Sequence, residues 1–179
     1  HDRATAYLLL NDLTAAERDY RQAAMVNNEF ASAYANLGSV LRKQKRYKEA
    51  ISAYTQALTT EEDALVFNNR GFAYYLDEDY ESAVADFQKA IELAPDYAYA
   101  HNNLASAYIR MEKFEEAVDA ATKAISINPE YGYAYLNRGI AREMVRDLRG
   151  ACEDWEKAEA MNIPNATDYL GAVCKFVEP

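Results

Sequence analysis

Glycine and proline are scarce in this 179-residue chain, six and four in number, and their scarcity removes the usual punctuation of strands and tight turns. An all-β fold is excluded, and the many Ala, Glu, Leu and Tyr residues favour helices. Cysteine is nearly absent. Cys152 and Cys174 are too few for a disulfide scaffold and lack the spacing of a zinc site; they are expected as buried free thiols rather than as a bridge. Basic residues are outnumbered, 19 against 29 acidic ones, for a formal charge of −10. Because Lys and Arg supply phosphate affinity through counterion release, a nucleic-acid partner is not expected. No apolar run approaches the roughly 20 residues of a membrane helix, Ala6 to Leu10 being the nearest. No targeting segment is visible in a chain that starts at His1, so the address stays open with a lean towards the cytoplasm.

Chemistry is missing as well. There is no glycine-rich phosphate loop, no paired-histidine metal motif and no nucleophile elbow, and the two histidines are the terminal His1 and a helix-packing His101. No catalytic residue, metal ligand or cofactor is expected, and the chain reads as a non-enzyme. The acidic runs Glu61-Glu62-Asp63 and Asp77-Glu78-Asp79 are expected as solvated charge in turns rather than as cation sites.

An internal period is present. Ala16, Ala50, Ala83, Ala117 and Ala151 fall 33 or 34 residues apart. Seven residues after each comes another Ala: Ala23, Ala57, Ala90, Ala124 and Ala158. Twelve before each stands a small residue, Ala4, Gly38, Gly71, Ala105 or Gly139; between the alanines lie Tyr20, Tyr54, Phe87, Ala121 and Trp155. Small residues let helix backbones approach and the aromatics fill the space beside them, so each repeat predicts two helices joined by a charged turn. The turns are expected at Asn11-Asp12, Lys45-Arg46, Asp77 to Asp79, Glu112-Lys113 and Arg146-Asp147. Thr14 with Glu17 reads as a capping box, Pro95 and Pro129 as first-turn residues of the helices that follow, and Asn165 as an N-cap.

On these residues the chain resembles the tetratricopeptide repeat family, whose 34-residue signature Phe67, Gly71, Tyr74, Ala83, Phe87, Ala90 and Pro95 follow closely. Departures are Arg142 for the usual Tyr, Ala121 for the second aromatic, and a one-residue deletion around Thr59 to Asp63. The resemblance implies an all-α solenoid, a right-handed superhelix of helix-turn-helix repeats at 1–30 (truncated), 31–63, 64–97, 98–131 and 132–165. A capping helix from Ala166 to about Val177, within 166–179, would cover the last apolar face. Arg149 to Trp155 looks like the last repeat of many bacterial members.

One pattern varies within the chain. Where repeat position 7 is Arg (Arg3, Arg70, Arg138), position 23 is Asp (Asp19, Asp86, Asp154); where position 7 is Leu (Leu37, Leu104), position 23 is Ala (Ala53, Ala120). Three Arg–Asp pairs are expected, each between the two helices of one repeat.

The resemblance also implies a concave wall built by the first helix of each repeat. Phe72, Tyr75, Tyr99, Ile109, Tyr133, Leu136, Ile140 and Met144 would form an apolar stripe on it, the mark of a partner surface. Asn36, Asn69, Asn103 and Asn137 all occupy position 6, and each carboxamide offers a donor and an acceptor to one peptide unit of an extended ligand. Selectivity would come from Phe72, Tyr75, Tyr99, Tyr133 and Ile140, with Arg42, Lys43 and Arg110 admitting a carboxylate. The family's carboxylate clamp for chaperone tails is disfavoured, because its positions carry Ala35, Ser39, Asn69, Tyr99 and Asn103. The expected function is a non-enzymatic scaffold that binds an extended peptide or protein segment. The alternatives are a module that self-associates through an open N-terminal face, or the regulatory arm of a larger enzyme or secretion machine.

Overall fold

The computed structural model describes residues 2–26 and 31–176. The described residues form eleven α-helices and one 3-10 turn, with no strand among them. They fall into two compact units, His1–Leu93 and Ala94–Pro179. The first holds α1 (Asp2–Leu9), α2 (Leu13–Val26), α3 (Ala31–Lys43), α4 (Tyr47–Leu58), α5 (Ala64–Leu76) and α6 (Tyr80–Leu93). The second holds α7 (Ala98–Arg110), α8 (Phe114–Ile127), α9 (Gly132–Met144), α10 (Leu148–Ala160) and α11 (Ala166–Val173), followed by the 3-10 turn Cys174–Phe176. Within each unit a helix packs on the next in sequence, and first helices of successive repeats also touch, α3 with α5 and α7 with α9.

The small and aromatic positions of the repeat meet where two helices of one pair cross. A Cβ on Gly38 would lie 2.8 Å from the Tyr54 ring, one on Gly71 2.9 Å from Phe87, and one on Gly139 2.3 Å from Trp155 Nε1. Tyr54, Phe87 and Trp155 are fully buried, so a Cβ at any of these glycines would force its neighbour's ring to shift. In the repeat whose aromatic is replaced by Ala121, the small position is Ala105 instead, and both are buried. There, volume lost on one helix is partly regained on the other.

Each within-repeat turn contains one left-handed residue: Asn11 (φ 58°), Lys45 (63°), Glu78 (66°), Glu112 (58°) and Arg146 (68°). The N–H that follows reaches back five residues, as from Arg46 N to Leu41 O at 3.0 Å, and the left-handed residue's own N–H reaches back three, from Lys45 N to Arg42 O at 2.9 Å. This pair of bonds satisfies the last carbonyls of the first helix. Asp12, Asp79 and Asp147 then cap the second helices, and Asp63, between repeats, caps α5; they accept from Ala15, Ser82, Gly150 and Val66 N–H at 2.9–3.1 Å.

Several sequence expectations are corrected. The N-terminus of α2 is capped by Asp12, so Thr14 lies inside the first turn and Glu17 instead pairs with Arg21 and Arg46. Pro95 and Pro129 precede their helices by three residues. Each sits second in a four-residue turn closed by Tyr97 N to Ala94 O or Tyr131 N to Asn128 O, both 3.1 Å, where its fixed φ suits the turn. Asn165 does occupy the position before α11, but in left-handed conformation (φ 68°) and without a capping bond from its side chain. The closing helix ends at Val173, and Val177 lies outside the described residues. The cysteines are not free thiols: Cys152 and Cys174 form a disulfide, with Cα atoms 5.7 Å apart. The helix reversal brings together positions 22 apart in sequence, at a separation suited to a bridge. Tyr169 of α11 stacks on Trp155 with ring centroids 5.0 Å apart, so a ring contact ties α11 to α10 and the bridge ties the 3-10 turn that follows it.

Candidate peptide-binding surfaces

The wall residues are set by the faces that α3, α5, α7 and α9 leave uncovered after packing on their second helices. In the N-terminal unit, the Arg42 guanidinium lies over the Phe72 ring, 5.2 Å from its centroid. Phe72 stacks against Tyr75 at 6.0 Å with planes 6° apart, and Tyr75 meets Tyr80 edge-on at 5.6 Å. Arg42, Phe72 and Tyr75 thus form one stack across α3 and α5, in which cation–π attraction holds the side chains without neutralising the charge. Asn36 and Asn69 are half-buried, and Lys43 is exposed.

In the C-terminal unit, four tyrosines gather. Tyr131, just ahead of α9, packs 4.7 Å from Tyr99 and 6.2 Å from Tyr133, while Tyr97 meets Tyr99 at 6.1 Å. Tyr99 and Tyr133 remain 53% and 47% exposed, large for aromatics packed against another ring. Burial pushes the Tyr131 phenol up to about 12, with the neighbouring tyrosines adding to it. Beneath them runs a polar network. Buried Asn102 donates to the Tyr131 hydroxyl at 3.3 Å, and Asn137 Nδ2 donates to Asn102 Oδ1 at 2.8 Å and to Ser106 Oγ at 2.9 Å. Both donors of Asn137 are therefore used inside the fold, and what it can offer a ligand is its carbonyl oxygen. Asn103 and Ile140 are half-buried and Arg110 is exposed. His101 Nε2 donates to the Pro95 carbonyl at 3.0 Å, which fixes its tautomer.

The Arg–Asp positions are joined in all three repeats. Arg70 Nε and Nη2 donate to the two oxygens of Asp86, both at 2.7 Å; Arg138 does the same to Asp154 at 2.8 and 2.6 Å. Arg3 reaches Asp19 with Nε and Nη2, although its own side chain is 66% exposed. Each of the two inner arginines also bonds backwards into the preceding repeat, Arg70 Nη1 to Thr55 Oγ1 at 3.0 Å and Arg138 Nη1 to Thr122 Oγ1 at 3.3 Å. Arg142 adds a third bond to Asp154 at 3.0 Å. Hydrogen bonding to the carboxylate is the main reason that the Arg70 and Arg138 guanidiniums are raised above their ordinary range. Among the described residues no group of acidic, histidine or cysteine side chains is arranged to hold a metal ion. No helix among them is long and apolar enough to cross a membrane.

Sequence reasoning missed Tyr97 and Tyr131, and it placed Asn102 and Ser106 on the concave wall without the network that joins them to Asn137 and Tyr131. The signal was present: Tyr97 and Tyr131 are 34 residues apart, and Asn68 and Asn102 form a second asparagine column beside position 6, both buried.

Comparison with known proteins matches the pattern described as tetratricopeptide repeat at residues 31–63, 62–130 and 102–166. The Drosophila melanogaster protein described as "DNA polymerase interacting tetratricopeptide repeat-containing, protein of 47 kDa" is 32% identical over 78 residues, 41% of this chain. The chain spans about a fifth of that relative's length (20%). Among solved structures, YrrB, described as a TPR protein with an unusual peptide-binding site, superposes with a TM-score of 0.78 at 24% identity, over 94% of this chain and 87% of its own. The first TPR of Spaghetti (RPAP3), bound to the HSP90 peptide SRMEEVD, is 30% identical with a TM-score of 0.61, over 63% of this chain and 91% of its own. Three matches that together run from residue 31 to 166, on helix pairs whose turns and ring–glycine contacts recur with the same period, place this chain in the tetratricopeptide repeat family.

Proposed function

We propose that the chain is a non-catalytic binding module that holds an extended segment of a partner protein against its first helices. The observation that carries this reading is the pair Tyr99 and Tyr133. They are equivalent residues of successive repeats, each about half exposed, and Tyr131 buttresses both from between them. Rigid, half-exposed aromatics supply contact area at little entropic cost. In the C-terminal unit the carbonyl of Asn137, with Asn103, would meet backbone N–H groups of the ligand, and in the N-terminal unit Asn36 and Asn69 would do the same. Phe72, Tyr75 and Ile140 would select apolar or aromatic side chains, and Arg42, Lys43 and Arg110 would accept a carboxylate. The HSP90 peptide bound to the first TPR of Spaghetti supports a peptide as the ligand class.

The test is a peptide array probed with the intact chain, the double variant Asn69→Ala/Asn103→Ala and Tyr99→Asp, each checked for folding by circular dichroism. Loss of each hydrogen-bonded site should weaken capture by roughly 0.5–1.5 kcal/mol per bond. Undiminished capture by the folded asparagine variant removes the ladder, and undiminished capture by Tyr99→Asp removes the aromatic site.

A further inference from the structure

A cleft of about 270 Å³ opens in the N-terminal unit where the start of α3, the end of α4 and the start of α5 come together. Its walls are mostly apolar, with Ala35, Ala57, Leu65 and Val66 among them, and Glu61 and Asp63 also line it. These two carboxylates belong to the acidic run that sequence alone assigns to solvated charge, and the structure separates the three members. Glu62 lies 3.4 Å from the Lys89 ammonium. Asp63 spends one oxygen on the Val66 N–H. Glu61 is exposed in the connection between α4 and α5.

Charge and size decide what fits. Helix ends contribute roughly half a charge each. Two N-termini and one C-terminus at the cleft therefore sum to about +0.5, against two full negative charges from Glu61 and Asp63. The site is net negative and favours a cation. Its volume falls below the roughly 300–1,000 Å³ of small-molecule pockets, which suits a single long side chain rather than a free ligand. An apolar wall with carboxylates beside it matches a Lys or Arg side chain, whose methylene stem packs while its charged head stays near water.

We propose that this cleft receives one basic side chain of the partner segment, so that the recognised sequence carries Lys or Arg beside its apolar residues. The assignment rests on the peptide reading above and adds the chemistry of one ligand position. It is distinct from the carboxylate-accepting Arg42 and Lys43, which lie at the opposite, C-terminal end of α3.

The experiment is selection from a phage-displayed random dodecapeptide library on the intact chain. Three targets run in parallel: the native sequence, Glu61→Gln/Asp63→Asn, and the control Glu115→Gln/Glu116→Gln. Asn at position 63 retains the α5 cap, and the control removes the same charge from exposed residues of α8. Peptides selected by the native chain should show one position enriched in Lys and Arg by up to about fivefold, the worth of a well-placed and partly exposed ion pair. That enrichment should vanish with the first variant and persist with the control. Selection of peptides without a basic position overturns the cleft assignment and leaves the peptide reading standing. Enrichment that survives Glu61→Gln/Asp63→Asn, or falls equally in the control, also overturns it, because overall charge is then what is read. Selection of no peptide at all overturns both readings.

Discussion

Arg70 and Asp86 are joined by two parallel hydrogen bonds of 2.7 Å between α5 and α6, with side chains only 17% and 7% exposed. A bidentate pair this well shielded leaves an uncompensated charge when either partner is cut away. Asp86→Ala should therefore destabilise the chain by about 3 kcal/mol, read as a lower urea midpoint. Asp19→Ala should cost less, because water already solvates Arg3. Equal midpoints for native chain and Asp86→Ala would show that the pair contributes nothing.

Tyr131 gives the alkaline behaviour a direction. Its phenol ionises near 10 when unfolded and at about 12 when folded, chiefly because burial disfavours the anion. The folded state therefore keeps a proton that the unfolded state releases. Stability from this group is fully present below pH 10 and is lost as pH rises towards 12. Denaturation midpoints measured across that window should fall less steeply for Tyr131→Phe, and absorbance titration should lose a tyrosine that ionises at about 12. An unaltered alkaline limb in the variant rules this out.

The left-handed turn residues are strained by their side chains. Glu112, at φ 58° and exposed, is one of them. Glu112→Gly removes a Cβ from a conformation that costs L residues roughly 1–2 kcal/mol, offset in part by glycine's greater freedom when unfolded. A net gain of about 0.5–1 kcal/mol is expected in thermal or urea unfolding. The opposite outcome holds at Gly71, where Gly71→Ala drives a Cβ into Phe87 and should cost about 1–3 kcal/mol.

Reduction of Cys152–Cys174 should loosen the end of the chain selectively. The bridge spans 22 residues, a loop whose closure is worth about 3 kcal/mol to the folded state. With a dithiol reductant, amide exchange in α11 should accelerate while that in α3 to α6 stays unchanged. Uniform acceleration would mean that the bridge supports more than the last helix.

The repeat grid was legible in the sequence because packing two helices at close range demands a small residue beside the space-filling one at fixed spacing, as Gly38 with Tyr54 and Gly139 with Trp155 show. The Arg–Asp columns were legible because they alternate with Leu–Ala. The same alternation places Thr55 and Thr122 one repeat before Arg70 and Arg138, yet that bond crosses repeats and goes unseen when each repeat is read alone. Tyr131 was missed because it precedes its helix and reads as a turn residue. The α2 cap was misplaced because Thr14-x-x-Glu17 satisfies the capping pattern, while the observed cap is Asp12, two residues earlier, and the helix starts at Leu13. Nothing in a spacing of 22 reveals a Cα separation of 5.7 Å; only the reversal through Asn162 to Asn165 does.

That reversal is also the exposed tip most open to a protease, since Asn162, Pro164 and Asn165 face solvent and two of them hold left-handed backbones. The bridge turns everything from residue 152 to 174 into a covalent ring. A single cut at the tip therefore linearises the ring without releasing a fragment. The nicked protein keeps its mass, plus one water, until it is reduced, and only then sheds its last helix.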